Sequence, residues 1–122
     1  MFDDAVELLK SGDYIASTRS FSTFYSLHPD HDFADDALFR AAESYYLKSN
    51  YTDAIIAYNR LMKIFPESVH RAAAMLKVAY SHYELGDEKT ALRVVKELKS
   101  LYPSSLSAQL ADDRMSRIGS SD

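Results

Sequence analysis

The stretch that decides the fold is Ala37–Pro66, which reads ALFRAAESYYLKSNYTDAIIAYNRLMKIFP. Apolar residues recur in it at spacings of three, four and seven, which is the period of a helix and not of a strand. The polar pair Ser49-Asn50 interrupts this pattern near its middle. Pro66 ends it, because proline has no N–H to donate and restricts the residue before it. The stretch therefore predicts two helices joined by a short turn.

The same pattern returns 37 residues earlier and 37 residues later, as the spacing of Pro29, Pro66 and Pro103 shows most simply. Turn residues, small residues and bulky residues share this period, at Gly12/Ser49/Gly86, Ala5/Ala42/Ala79, Ser17/Ala54/Ala91, Leu8/Tyr45/His82, Phe21/Tyr58/Val95, Phe24/Leu61/Leu98 and Leu27/Ile64/Leu101. Gly at the end of a helix accepts the left-handed conformation that stops it, and Asp or Asn can cap the next helix. A fixed period in all these signals is typical of an array of helical hairpins.

We therefore expect an all-α fold, a right-handed α-solenoid of antiparallel helix hairpins in a single domain spanning residues 1–119. Its three units cover residues 1–31, 32–68 and 69–105, a capping helix covers 105–118, and residues 119–122 form a frayed tail. The predicted helices lie near residues 2–11, 13–28, 32–48, 51–65, 69–85, 88–102 and 105–118. The last helix suits the end of a solenoid because it turns polar at Asp112, Asp113 and Arg114, and a terminal helix needs one solvated face.

The composition excludes several classes of function. The net charge is −4 and no long run of Lys or Arg occurs, which argues against nucleic-acid binding. The chain has no cysteine, hence no disulfide framework and no thiolate metal site. No apolar run approaches the roughly 20 residues of a membrane span, and the acidic start at Met1 lacks the features of a signal peptide. Since Met1 falls inside the first helix of the repeat, we expect either a cytosolic protein or a piece of a longer, secreted chain.

One cluster of potential metal ligands stands out, at His28, Asp30, His31, Asp32, Asp35 and Asp36. These residues straddle Pro29 and the start of a helix, and acidic residues at a helix N-terminus cap free N–H groups and meet the positive end of the helix dipole. Helix capping is therefore favoured over metal binding. The sequence contains no Gly-rich phosphate loop, HExxH motif or catalytic Ser/His/Asp order, so we predict a protein that is not an enzyme and has no catalytic residue, cofactor or metal.

The repeat resembles the tetratricopeptide repeat, whose usual unit is about 34 residues. The residues that carry the resemblance in the central unit are Leu38, Ala41, Ala42, Tyr45, Ser49, Tyr51, Ala54, Tyr58, Leu61 and Pro66. The third unit follows the same pattern. The first unit departs from it at Asp4 and Ser17, where the family usually has an apolar residue and an alanine. The resemblance covers nearly the whole chain and implies a protein-binding fold.

The longer period of 37 resembles that of periplasmic tetratricopeptide domains, most of all the C-terminal domain of the YbgF family, which works with the Tol–Pal system. The stretches that carry this resemblance are Ala37–Tyr46, Leu76–Asp87 and Leu98–Ile118. It implies a periplasmic domain with a Tol protein such as TolA as its partner, and a role in cell division and envelope integrity. A signal sequence and a coiled-coil segment would lie upstream. The alternative is a scaffold similar to the outer-membrane assembly lipoproteins, which have similar long repeats.

Several apolar residues of the first helices lie off the stripe that packs each hairpin, and these residues predict a binding surface. A helix needs only one apolar stripe to pack, and the family uses the remaining positions to line a concave groove. The predicted groove residues are Phe39, Glu43 and Tyr46 in the central unit, Leu76, Tyr80 and Tyr83 in the third, and Phe2, Val6 and Leu9 in the first. Some of them could instead pack between successive first helices.

The chemistry of this predicted groove favours a protein segment as ligand. Tyrosines contribute buried area at low entropic cost and keep a polar tip. Glu43 and Glu84 would repel the acidic tails that chaperone-type repeats clamp, so we expect an apolar segment with basic flanks. A homo-oligomer is the remaining possibility, because open solenoid ends and surface tyrosines can pack on a second copy.

Overall fold

The computed structural model describes residues 1–119, and within them the chain forms seven α-helices and no strand. The helices are α1 (Phe2–Lys10), α2 (Tyr14–Leu27), α3 (Ala34–Leu47), α4 (Tyr51–Ile64), α5 (Arg71–Glu84), α6 (Glu88–Leu101) and α7 (Leu106–Gly119). Every boundary lies within two residues of its predicted position, and the all-α, tetratricopeptide-like solenoid is confirmed. Of the predicted tail, Gly119 ends α7 and residues 120–122 lie outside the described residues.

Each hairpin turns through one residue with a positive φ, which is 85° at Gly12, 66° at Ser49 and 88° at Gly86. Aspartate follows the two glycines and caps the next helix. At the last turn, Asp87 accepts a hydrogen bond from the Thr90 N–H at 3.1 Å, and the hydrogen bonds from Thr90 hold the pKa of Asp87 below its usual range. The glycine and aspartate signals therefore act as predicted, whereas Asn50 is the N-cap residue of α4 without a side-chain hydrogen bond to that helix.

The apolar interior is divided into three clusters that follow one another along the solenoid. Phe21 and Phe24 are buried in the first cluster, Tyr58 and Leu61 in the second, and Leu98 in the third. Fully buried small residues let the helices approach each other closely at the predicted positions, Ala5, Ser17, Ala42, Ala54, Ala79 and Ala91. Stability is therefore shared between neighbouring hairpins, as expected for a repeat protein.

Consecutive helices pack against each other along the whole chain, and the first helices of successive hairpins also touch, α3 with α5 and α5 with α7. The second helices α2 and α4 are instead separated by an open groove. Helices on the inner side of a curved solenoid lie closer together than those on its outer side. We therefore take the odd-numbered helices as the inner row and the even-numbered helices as the outer row.

One predicted row of packing residues was wrong. Leu27, Ile64 and Leu101 keep the 37-residue period, yet they are 59%, 40% and 49% exposed. Each is the last residue of its helix, where the chain turns away from the neighbouring hairpin. In the second and third units the following residue, Phe65 or Tyr102, packs against the core in its place.

Candidate protein-binding surface

The nine predicted groove residues fall into three rows with a spacing of 37 residues, one residue from each of α1, α3 and α5 in every row. We call the surface that they form the first-helix face. The rows are Phe2/Phe39/Leu76, Val6/Glu43/Tyr80 and Leu9/Tyr46/Tyr83. They differ in how far the structure leaves them available to a ligand.

Two of the predicted groove residues are buried, which corrects their assignment. Leu76 is 4% exposed and Tyr80 is 8% exposed, and both belong to the third core cluster. The cause is α7, which packs on α5 and buries Ala108 and Ala111 in the same cluster. The Tyr80 hydroxyl also donates a hydrogen bond to the Leu110 carbonyl at 3.3 Å. Leu76 and Tyr80 therefore pack between successive first helices, and Tyr80 also lines a surface cavity with Leu110, Asp113 and Arg114.

In the central unit, the residues of these two rows are Phe39 and Glu43. Both are half-buried, and both connect α3 to neighbouring elements. The ring of Phe39 stacks on that of His70, with centroids 4.4 Å apart and planes 10° apart. Glu43 accepts a hydrogen bond from the Tyr58 hydroxyl at 3.2 Å and lies 3.7 Å from the Lys77 ammonium. Phe39 and Glu43 thus hold the hairpins together while keeping part of their surface exposed.

In the first unit, Phe2 has a similar packing role. Its ring lies 5.5 Å from that of Phe21 and 5.3 Å from that of Phe24, in edge-on arrangements that aromatic rings favour. Val6 and Leu9 are partly buried against the same cluster. The apolar character of this end of the first-helix face therefore serves the core as well as the surface.

The third row, Leu9, Tyr46 and Tyr83, is half-buried in all three units and forms the most uniform strip of the first-helix face. Tyr46 lies at its centre, with its ring 5.6 Å from that of Tyr51. Burial raises the pKa of the Tyr46 phenol, and the nearby Arg114 guanidinium opposes part of that rise. A strip of this kind offers apolar area with polar tips to a polypeptide.

Sequence reasoning missed a row of cations on the same helices, Arg40, Lys77 and Arg114. Each cation lies over an aromatic ring of the preceding first helix. The distances to the ring centroids are 5.9 Å for Arg40 over Phe2, 4.4 Å for Lys77 over Tyr46 and 4.1 Å for Arg114 over Tyr80. The signal that would have found them is their 37-residue spacing.

Each of these cations also has a carboxylate partner. Arg40 pairs with Asp36 at 3.2 Å, and Arg114 pairs with Glu84 at 3.1 Å; Lys77 has Glu43. Because the charges are balanced locally, the first-helix face does not select a strongly charged ligand. It is better suited to a segment that presents apolar side chains and backbone hydrogen-bonding groups.

The acidic residues at the start of α3 cap one free N–H group of that helix, because Asp35 Oδ1 accepts a hydrogen bond from the Asp36 N–H at 2.8 Å. The N-cap residue is Phe33, which cannot accept a hydrogen bond through its side chain. The other oxygen of Asp35 accepts a hydrogen bond from the Ser68 hydroxyl at 2.6 Å, and Asp36 lies 3.1 Å from His70 Nε2. Both carboxylates remain in the first turn of α3, near the positive end of its dipole, and they join this helix to the loop before α5.

Residues 1–119 hold no group of three or more His, Asp or Glu side chains placed to bind a metal ion. No helix in the same range has both the length and the hydropathy that crossing a membrane requires.

Comparison with known proteins places the chain in a defined family. Residues 31–112 match the model of the family YfiO, described as an outer membrane lipoprotein. The chain is also 31% identical over 72 residues to proteins named outer membrane protein assembly factor BamD, from Neisseria gonorrhoeae and from Neisseria meningitidis serogroup A. The alignment covers 59% of this chain and 27% of each relative, so the chain spans about a quarter of the length of the curated relatives it matches.

Proposed function

Because this chain belongs to the YfiO family of outer membrane lipoproteins, we propose that it is a non-enzymatic scaffold of the bacterial envelope that supports outer-membrane protein assembly. It binds a segment of a partner protein on the concave first-helix face. The observation that carries the proposal is the family match over residues 31–112, since these residues include α3, α4, α5 and α6 and the first half of α7.

The relatives support assembly more than the Tol–Pal system. Their printed name is that of an outer membrane protein assembly factor and not of a Tol protein. A partnership with TolA and a role in cell division therefore remain the less supported candidate. The family also favours a periplasmic location over a cytoplasmic one.

Within the first-helix face, we assign recognition to the strip of Leu9, Tyr46 and Tyr83. Phe39 and Glu43 flank it and contribute their exposed parts. The strip combines apolar area with hydroxyl groups, and the locally paired cations keep it close to neutral. An apolar segment of a partner protein, helical or extended, is the ligand that this chemistry fits.

The proposal is tested by affinity capture from a solubilised envelope extract. The immobilised domain is compared with its Tyr46→Ala/Tyr83→Ala variant, and Leu92→Ala, which changes an exposed residue of α6, serves as the matched control. We expect proteins of the outer-membrane assembly machinery to be retained by the domain and by the control, and to be lost at least five-fold from the double variant. Thermal midpoints must first show that all three proteins are folded.

Other outcomes of this experiment would contradict the proposal. Enrichment of Tol proteins would favour the Tol–Pal association, and equal retention by the double variant would move the binding surface away from the first-helix face. The remaining candidate is a self-association module. If the domain self-associates, light scattering should give a molecular mass that rises with protein concentration.

A further inference from the structure

A second groove lies on the opposite side of the solenoid, between the outer helices α2 and α4, with α3 as its floor. We call it the outer groove. It contains two adjoining cavities of about 390 and 170 Å³ that share Ser22 and Tyr45 as lining residues. The corresponding space between α4 and α6 holds a cavity of about 180 Å³.

The outer groove is open because the side of it that α2 forms carries small polar residues. Thr18 and Ser22 line the cavities. The residues 37 positions later are Ile55, which packs against the second core cluster, and the longer Asn59. Larger residues at these two positions therefore narrow the corresponding space of the next unit, which still holds the smaller cavity.

Both helices that border the outer groove, α2 and α4, carry exposed apolar side chains. Ile15 of α2 is 58% exposed and Ile56 of α4 is 62% exposed. They border the larger and the smaller cavity respectively. The corresponding residues of the next unit are the polar Thr52 and Arg93, so the apolar pair is not a requirement of the repeat.

The charge of the outer groove is opposite to that of the whole chain. Arg19 and Lys48 line the larger cavity and Arg60 lines the smaller one, with Asp53 as the single carboxylate among the lining residues, although the chain carries a net charge of −4. Within residues 1–119, none of the three cations forms a salt bridge. Arg60 is held over the ring of Tyr25 at 5.3 Å.

The three cations of the outer groove are not repeated in the next unit. The residues 37 positions after Arg19, Lys48 and Arg60 are Ile56, Leu85 and Glu97. Charge complementarity therefore selects an acidic ligand, and the exposed isoleucines select apolar anchors on it. Cations without a salt bridge, open volume and exposed apolar side chains therefore occur together in the outer groove.

We infer that the outer groove binds an acidic peptide segment of a partner protein. Apolar side chains of the segment lie between Ile15 and Ile56, and its carboxylates meet Arg19 and Lys48 at one end and Arg60 at the other. The floor helix α3 separates this site from the first-helix face, so the domain can hold two protein segments at once. The inference goes beyond the proposed function, which concerns only the first-helix face.

The test uses two fluorescein-labelled synthetic peptides, EELEELLEE and KKLKKLLKK, and measures fluorescence anisotropy at 50 mM salt. We expect the acidic peptide to bind at least ten-fold more tightly than the basic one. Thr18→Ile/Ser22→Asn introduces the residues of the next unit and should weaken binding of the acidic peptide at least ten-fold. Arg19→Glu/Arg60→Glu should weaken it as much, because it reverses the charge of the site.

The controls separate the outer groove from other surfaces. Arg93→Glu/Lys96→Glu makes the same change of charge on exposed positions of α6, and it should alter the affinity less than two-fold. Tyr46→Ala/Tyr83→Ala should also leave peptide binding unchanged. Thermal midpoints of all variants establish that they are folded.

Three results would overturn the inference: equal binding of both peptides, full binding by the two groove variants, or equal weakening by the α6 control. If only the Tyr46/Tyr83 variant loses the acidic peptide, the peptide binds the first-helix face; the outer-groove site is then refuted while the proposed function stands. If sedimentation shows a dimer that Thr18→Ile/Ser22→Asn abolishes, the occupant is a second copy of the chain and not an acidic partner segment.

Discussion

A buried pair of serines explains why the first unit departs from the repeat at Ser17. The hydroxyls of Ser17 and Ser44 are 2.7 Å apart and fully buried between α2 and α3. Ser81 is the counterpart of Ser44 in the next unit, but the counterpart of Ser17 is Ala54. The Ser81 hydroxyl is accordingly buried without a hydrogen-bond partner among the described residues.

Replacing Ser81 by alanine should stabilise the protein. A buried hydroxyl without a partner costs about 1–3 kcal/mol, so Ser81→Ala should raise the free energy of unfolding by about 1 kcal/mol, measured by urea denaturation. Ser44→Ala is the matched control and should lower it by about 1 kcal/mol, because it removes the hydrogen bonds of the Ser44 hydroxyl with Ser17 and with the Arg40 carbonyl. Destabilisation by both variants would show that the Ser81 hydroxyl has a hydrogen-bond partner.

The turn at Ser49 offers a second stabilising change. Its φ of 66° is a left-handed conformation, which costs a residue other than glycine about 1–2 kcal/mol, and the other two turns carry glycine here. Ser49→Gly should raise the free energy of unfolding by about 0.5–1 kcal/mol after the entropy of the unfolded glycine is counted. Lys48→Gly, one residue earlier and at a φ of −82°, should lower it; equal effects of both changes would contradict the argument.

Among the elements, α7 decides which part of the first-helix face stays open. It packs against both α5 and α6 and acts as the first helix of a unit that continues no further in the described chain. Ala108, Ala111 and Met115 fill its buried side. Its polar side pairs with the neighbouring helices, as the Asp112 carboxylate does with the Lys99 ammonium at 2.6 Å.

The position of α7 predicts different roles for two tyrosines that are three residues apart on α5. Tyr80→Ala should lower the free energy of unfolding by about 3 kcal/mol, because it removes a buried aromatic ring and its contact with α7. Tyr83→Ala should lower it by less than about 1 kcal/mol, because Tyr83 is only half-buried. Urea denaturation of both variants measures the difference. A larger decrease in the free energy of unfolding for Tyr83→Ala than for Tyr80→Ala would reverse the assignment of these two residues.

At the scale of the whole molecule, buried tyrosines link the stability of successive hairpins to pH. Burial raises the pKa of Tyr58, of Tyr46 and of Tyr80. The charge of Glu43 adds to the rise at Tyr58, and Arg114 opposes it at the other two. A raised pKa in the folded state means that folding favours the protonated phenol.

The raised pKa values of these tyrosines determine the sign of the pH dependence. The contribution of these tyrosines is fully present below their unfolded pKa of about 10 and is lost as the pH rises above it. The free energy of unfolding should therefore fall between pH 10 and 11 by up to about 1.4 kcal/mol for each tyrosine that stays protonated in the folded state. Urea denaturation at pH 9, 10 and 11 measures the slope.

Tyr58→Phe provides the control for this prediction. The variant loses the hydrogen bond to Glu43 and is less stable at every pH, but its stability should fall less steeply above pH 10. An unchanged slope would show that Tyr58 does not contribute to the alkaline loss.

The sequence by itself determined the helices, their turns and the order of hairpins, because these depend on local signals that recur every 37 residues. Pro29, Pro66 and Pro103 mark the ends of the second helices, and Gly12 and Gly86 mark the turns. Such signals act through the backbone conformation of a few neighbouring residues. They can therefore be interpreted before any long-range contact is known.

Only the tertiary structure decided which side chains remain available to a partner. The same period places Phe39 and Leu76 at one position of the repeat, yet Phe39 is half-buried and Leu76 is buried under α7. The exposed Leu27 and the open outer groove beside Ser22 were equally invisible in the pattern. The exposure of a residue depends on which side chains of the neighbouring helix lie opposite it. Residues at the same position of the repeat can have different neighbours, so the repeat pattern does not predict which of them is exposed.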